Sequence, residues 1–181
     1  MRTRGVSAPL YPFSHSGPVL VCGNAWCLFE DLKKARKIFP EAPIIAVNGA
    51  SRETPAFMLV SQHAVNFKNA RWVHSQRKIN HSFSVHSNES HPLVQYVWNL
   101  KNCGGSAWLA RRIAGSIGFD QVILCGCPMV PGNYANHRPG LLMGKPAIVN
   151  ELLTQIERDA DWHEGCYSMS GATKNILGGL T

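Results

Sequence analysis

The sequence predicts a single-domain, three-layer α/β/α fold built on a mostly parallel sheet. Three observations carry the prediction. Pro18–Cys22, Ile44–Val47 and Gln121–Cys125 are short apolar runs without alternation, as strands covered on both faces require. Apolar residues recur between them at three- and four-residue spacing, the mark of helices packed by one face. Each apolar run ends in a turn bearing glycine or asparagine. Alternating strands and helices with short connections imply a parallel sheet covered on both sides.

The elements follow in chain order. The lead-in 1–17 is rich in Pro, Ser and Gly and lacks the apolar core of an export signal, so it is expected to be flexible or draped on the surface. The strand Pro18–Cys22 passes through Gly23-Asn24-Ala25 into a helix with Leu28, Leu32, Ala35 and Phe39 on one face. Glu30 and Asp31 in its first turn, and Lys33, Lys34, Arg36 and Lys37 later, complement the helix dipole. Pro40 and Pro43 stop it, and the strand Ile44–Val47 ends at Asn48-Gly49. Ala56–Ser61 reads as a third strand, although the preceding Thr54-Pro55 also suits a helix start. Val65–Lys78 is weakly helical, Ser82–Ser87 alternates like a half-exposed strand, and 88–92 is a loop.

Gly104-Gly105-Ser106 opens a helix with Leu109, Ala110, Ile113, Ala114 and Ile117 on its buried side, closed by Gly118. The strand Gln121–Cys125 comes next, followed by a long loop too rich in Pro, Gly and Asn for regular structure, which runs to Gly140. A last helix is expected from near Pro146, with Ile148, Val149, Leu152, Leu153 and Ile156 inward, and a last strand near Gly165–Ser168.

At 181 residues one domain is long enough to bury about 70% of its unfolded surface. No apolar run approaches the roughly 18 residues of a membrane span. Five of the six cysteines (Cys22, Cys27, Cys103, Cys125, Cys127) fall beside strand ends and turns, which favours reduced thiols and a cytoplasmic location. Cys125-Gly126-Cys127 lacks the second paired motif that a zinc site needs, so buried thiols are the expectation and no metal or other cofactor is assigned. The net charge of +7 points to an anionic partner. The charge does not choose among a nucleotide, nucleic acid or another phosphorylated molecule, but the basic residues are scattered rather than gathered in a stripe, which makes nucleic acid the minority reading.

In open parallel sheets, ligands bind outside the carboxyl ends of the strands. Gly23-Asn24, Asn48-Gly49, Gly104-Gly105-Ser106 and the loop from Gly126 to Arg138 converge there. The first-turn N–H groups after Gly105 suit an anion or phosphate, and a tight turn accounts for the same glycines. His137, beside Tyr134, Asn136 and Arg138, combines a group that titrates near neutrality with an anion clamp, or else the loop only satisfies its own backbone. His63 and His74 are further candidates for a base, and His81, His86 and His91 are expected at the surface. Trp26 and Trp108 follow the two glycine turns and serve as core or as base-stacking groups.

Four segments carry a family resemblance: V-L-V-C-G-N-A, I-I-A-V-N-G-A, the block from Gly104 to Gly126, and C-Y-S-M-S-G-A-T-K-N-I-L-G. Through them, residues 18 to 178 resemble the Rossmann-type superfamily that joins bacterial sialyltransferases related to the Campylobacter lipooligosaccharide enzymes with 6-hydroxymethylpterin diphosphokinase-like proteins. Small phage and bacterial proteins look similar too. The resemblance implies a Rossmann-like nucleotide-binding domain over 18–181. It implies Gly23 and Asn24 against a nucleotide phosphate or ribose, Asn48 against nucleotide or donor sugar, and Gly105 with Ser106 against base or phosphate. His137 would be the base. Those families carry an acidic residue after the strand matching Gln121–Cys125, where this chain has Gly126-Cys127-Pro128. A Mg²⁺-dependent diphosphokinase needs carboxylates, and none lies on the four ligand-facing turns, which argues against that reaction. Two functions are therefore expected: a metal-independent glycosyltransferase-like enzyme acting on a nucleotide-sugar, or a non-catalytic phage-type protein that sequesters a nucleotide-like ligand.

Overall fold

Pro18–Cys22 and Gln121–Cys125 pair side by side as interior strands of the sheet, because nearly every residue in both runs is apolar and each strand can be covered on two faces. The computed structural model describes residues 11–67, 71–100, 104–130, 153–154 and 164–180. In chain order the strands are β1 (Pro18–Cys22), β2 (Ile44–Val47), β3 (Met58–Ser61), β4 (Ser84–Ser87), β5 (Tyr96–Val97), β6 (Gln121–Cys125) and β7 (Cys166–Ser168). The helices are α1 (Leu28–Ile38), α2 (Arg71–Ile79), α3 (Ser106–Ser116) and α4 (Gly171–Leu177), with 3-10 turns at Asn48–Arg52 and Ala64–Phe67. The spatial order is β5-β4-β3-β2-β1-β6-β7, with every neighbouring pair parallel. This is an α/β, Rossmann-like sheet. The chain builds outward from β1 to β5 and returns to add β6 on the other side of β1, so the direction of winding reverses between β1 and β6.

Alternate residues of the central strands face opposite layers. Val19, Val21, Ile45, Val47, Met58, Val60, Val122 and Leu124 pack with α3. Leu20, Cys22, Ile44, Ala46, Leu59, Ile123 and Cys125 pack with Leu28 and Ala35 of α1 and Val73 of α2. α1 ends as its prolines dictate, and the Arg36 guanidinium donates 2.7 Å hydrogen bonds to the carbonyls of Pro40 and Ala42. Residues 11–17 lie over the α3 side: the His15 ring stacks on Phe119 at 4.7 Å and the His15 backbone N–H donates to the Ile117 carbonyl. Gly118, at φ +107°, leaves room for this strap, since a Cβ there would stand 2.3 Å from the His15 carbonyl oxygen.

Two expectations need correction. β4 is buried and not half-exposed, because its polar residues all find partners inside the protein. His86 therefore does not lie at the surface: it is fully buried, accepts a 2.9 Å hydrogen bond from Trp98 Nε1 at Nδ1, and meets Ser84 Oγ through Nε2 at 2.7 Å. Tyr96 stacks on its ring at 4.7 Å. His91 is half-buried, and its Nδ1 accepts from the Leu93 N–H; of the three spaced histidines, His81 alone is exposed. The loop expected at 88–92 is present, and β5 follows it at Tyr96–Val97. Second, a helix, α4, follows the last strand. The expected helix from Pro146 lies outside the described residues apart from helical Leu153 and Thr154.

Candidate functional site

The carboxyl ends of β1 and β2 bring together Asn24, Asn48, Gly49 and Arg52. Asn48 leaves β2 at φ +52°, a left-handed conformation that asparagine tolerates better than other residues with a side chain. It starts the 3-10 turn that swings Arg52 back over the strand end. Ser51 Oγ donates to the Asn48 carbonyl and Thr54 Oγ1 to the Ala50 carbonyl, locking the turn. Gly49 has no room for a side chain: a Cβ there would stand 2.7 Å from Asn24 Nδ2 and 3.3 Å from Arg52 Nη2. The two side chains thus close over one glycine.

Asn24 Oδ1, Asn48 Oδ1 and Arg52 Nε are each buried without a hydrogen-bond partner among the described residues. A buried polar atom left unpaired costs about 1–3 kcal/mol, so native proteins rarely leave three together unless something else satisfies them. Two acceptors and a cationic donor suit a molecule offering both hydroxyl or amide protons and negative charge. Arg52 had no signal in the sequence, where it reads as one more scattered cation. Only the fold of the 3-10 turn brings it to Asn24.

α3 begins beside this cluster. Gly104 has φ +65°, whereas Gly105, its N-cap, is extended at φ −112° and a Cβ there would meet nothing within 4 Å. No side chain caps the helix. Ser106 Oγ accepts a 2.9 Å hydrogen bond from the Gln62 N–H, which ties the helix start to the end of β3.

Gly23 and Gly126 have a different environment. They pack backbone to backbone where the winding reverses: a Cβ on Gly23 would fall 2.5 Å from the Gly126 carbonyl oxygen, and one on Gly126 would fall 2.5 Å from that of Gly23. Gly23 N–H donates to the Cys125 carbonyl and Ala25 N–H to that of Gly126. Asp31, almost fully buried in α1, holds the same loop, its Oδ2 accepting from Gly126 N–H at 2.9 Å and Ser170 Oγ at 2.7 Å. Dipole compensation alone, the sequence expectation for Asp31, misses this role.

Trp108 is buried and Trp26 is 51% exposed beside the first turn. His137, Tyr134, Asn136 and Arg138 lie outside the described residues. His74 is exposed on α2. His63 follows β3, and its Nδ1 lies 3.1 Å from Glu89 Oε1. The described cysteines are free, buried thiols. Burial pushes Cys27 to about 12 and Cys166 to about 11, and the neighbouring Cys22 followed by burial raises Cys125, so these thiols stay protonated and inert. Among the described residues no three His, Cys, Asp or Glu converge on a metal position, and no helix is long and apolar enough to cross a membrane.

Comparison with protein-family models, curated proteins and solved structures returned no match.

Proposed function

We propose that the protein binds a nucleotide or nucleotide-sugar at the carboxyl ends of β1, β2 and β3 and transfers the glycosyl group to an acceptor. The observation that supports this reading is the trio of buried, unpartnered polar atoms Asn24 Oδ1, Asn48 Oδ1 and Arg52 Nε. A ribose or sugar hydroxyl donates to the amide oxygens, and a phosphate accepts from the guanidinium. The uncapped start of α3 and the open space over Gly105 offer a second anion position beside it. The excess of basic residues over the chain adds a long-range attraction for such a ligand.

The test is a thermal-shift screen of nucleoside mono- and diphosphates and of UDP-, GDP- and CMP-sugars. A ligand at a hundred times its dissociation constant adds about 2.7 kcal/mol of stability, or roughly 5–10 °C for a domain of this size. Arg52→Gln and Asn24→Ala should each remove most of that shift. A screen without any shift, or variants that shift as the wild type does, would reject the site.

A further inference from the structure

We infer that His63, oriented by Glu89, is the proton acceptor for group transfer at this strand edge. The inference rests on the nucleotide-sugar reading above. His63 stands two residues beyond β3, and its position is fixed from both sides. The neighbouring Gln62 donates its N–H to Ser106 Oγ at the start of α3, and its carbonyl accepts from Ser87 Oγ at the end of β4. Ser61 Oγ donates to the His63 carbonyl itself. The backbone at 62–63 is thus anchored between the uncapped helix start and the next strand, on the carboxyl edge that also carries Asn24, Asn48 and Arg52. Neighbouring strands are about 4.8 Å apart, so the ends of β1 to β4 span roughly 14 Å, close to the length of a nucleotide-sugar.

The dyad has the polarity a base requires. Glu89 Oε1 faces His63 Nδ1 at 3.1 Å, and Glu89 Oε2 accepts from the Ala64 N–H at 2.9 Å, so both oxygens of the carboxylate are engaged. The His63 hydrogen bond, and after it the Ala64 N–H, hold the Glu89 carboxyl below its ordinary value, which keeps it an acceptor near neutrality. An ionised Glu89 requires the proton on Nδ1 and leaves the lone pair on Nε2, a nitrogen that makes no hydrogen bond to the described residues. The ring is 61% exposed, so an incoming hydroxyl can reach it.

In the step, the acceptor hydroxyl, or water in its place, gives its proton to His63 Nε2 as its oxygen bonds to the anomeric carbon. The bond from that carbon to the phosphate oxygen breaks, and the nucleotide leaves with the electron pair as its phosphate. The imidazolium then returns its proton to solvent. Glu89 is a positioning residue that acts through the ring.

The experiment uses the full chain and the UDP-, GDP- and CMP-sugars, reading thermal shift for binding and chromatographic release of free nucleotide for turnover. Wild type should release nucleotide. His63→Asn should bind with an unchanged shift and release about 10²–10⁴-fold more slowly. Glu89→Gln should bind with an unchanged shift and release more slowly, and Glu89→Asp, which keeps a carboxylate acceptor, should recover part of that loss. A merely structural ion pair would cost stability without slowing release from the folded protein. Binding with no release by wild type, or release by His63→Asn at the wild-type rate, overturns the inference and leaves the binding site standing. No binding by wild type overturns both.

Discussion

Asp31 and His86 are buried titratable groups whose roles are fixed by what they touch. Asp31 Oδ2 accepts from both the Gly126 N–H and the Ser170 hydroxyl, joining α1, the loop after β6 and the start of α4. Asp31→Ala strands both donors and should cost about 2–4 kcal/mol in urea unfolding, whereas Asp31→Asn keeps an acceptor oxygen and should cost less than half as much. Equal losses would show that charge, not acceptance, matters there. His86 is held neutral by burial, which lowers its pKa to about 3 from the ordinary 6.5. Its neighbours Tyr11, Tyr96, Trp98 and Ser84 carry no charge near neutrality. Below pH 6.5 the unfolded chain binds a proton that the folded one refuses, so stability is full above that pH and falls as the solution is acidified. Unfolding free energy should drop by about 1 kcal/mol from pH 6 to pH 5 on account of this residue, with His15, also lowered by burial, adding in the same direction. His86→Asn keeps an acceptor for Trp98 Nε1. It should be less stable at pH 7 yet lose less over that interval, and an unchanged slope would refute the assignment.

At the scale of elements, the start of α3 separates two glycines that look alike in the sequence. Gly104 has the left-handed backbone, so Gly104→Ala should cost about 1 kcal/mol, while Gly105→Ala, extended and facing open space, should leave stability nearly unchanged. If the first-turn N–H groups meet a phosphate, Gly105→Val lowers affinity for the best ligand of the screen in a fully folded protein. Retained affinity would leave Gly105 as a turn residue only. β1, α1, β2, α3, β6 and β7 were all readable, since buried parallel strands and one-faced helices leave the plainest patterns. β4 was misread because Ser84, His86 and Ser87 look solvated until Trp98 and the Gln62 carbonyl supply their partners. β5 spans only Tyr96 and Val97, too short for any period. α4 starts at Gly171 with φ +71°, directly against the Pro128 carbonyl, a contact that the sequence does not display. Of the site, Asn24, Asn48 and Ser106 could be found from strand ends. Arg52 and the pairing of His63 with Glu89 could not, because they depend on which strands become neighbours and how a 3-10 turn folds back.

Over the whole molecule, the sheet edge divides into a closed part and an open part. Where winding reverses between β1 and β6, Gly23 and Gly126 press their backbones together, which leaves the space there filled by the protein itself. One strand further, at the ends of β1 and β2, Asn24 and Arg52 meet over Gly49 with their polar atoms unspent. This division predicts opposite outcomes for two substitutions of the same kind. Gly126→Ala combines φ +65° with a Cβ placed 2.5 Å from the Gly23 carbonyl oxygen and 2.9 Å from Leu28 Cβ, contacts that backbone cannot yield cheaply. It should lose about 2–4 kcal/mol of unfolding free energy while the folded fraction keeps its ligand affinity. Gly49→Ala has no left-handed backbone to strain, and the atoms it meets are the ends of the Asn24 and Arg52 side chains, which can move aside. Stability should fall by no more than about 1 kcal/mol. Displacing those two side chains takes away the donor and acceptor pattern, so the thermal shift from the best nucleotide should largely vanish. Urea unfolding and ligand titration of both variants read the two effects separately. A Gly49→Ala protein that binds as tightly as wild type would remove Asn24 and Arg52 from the site.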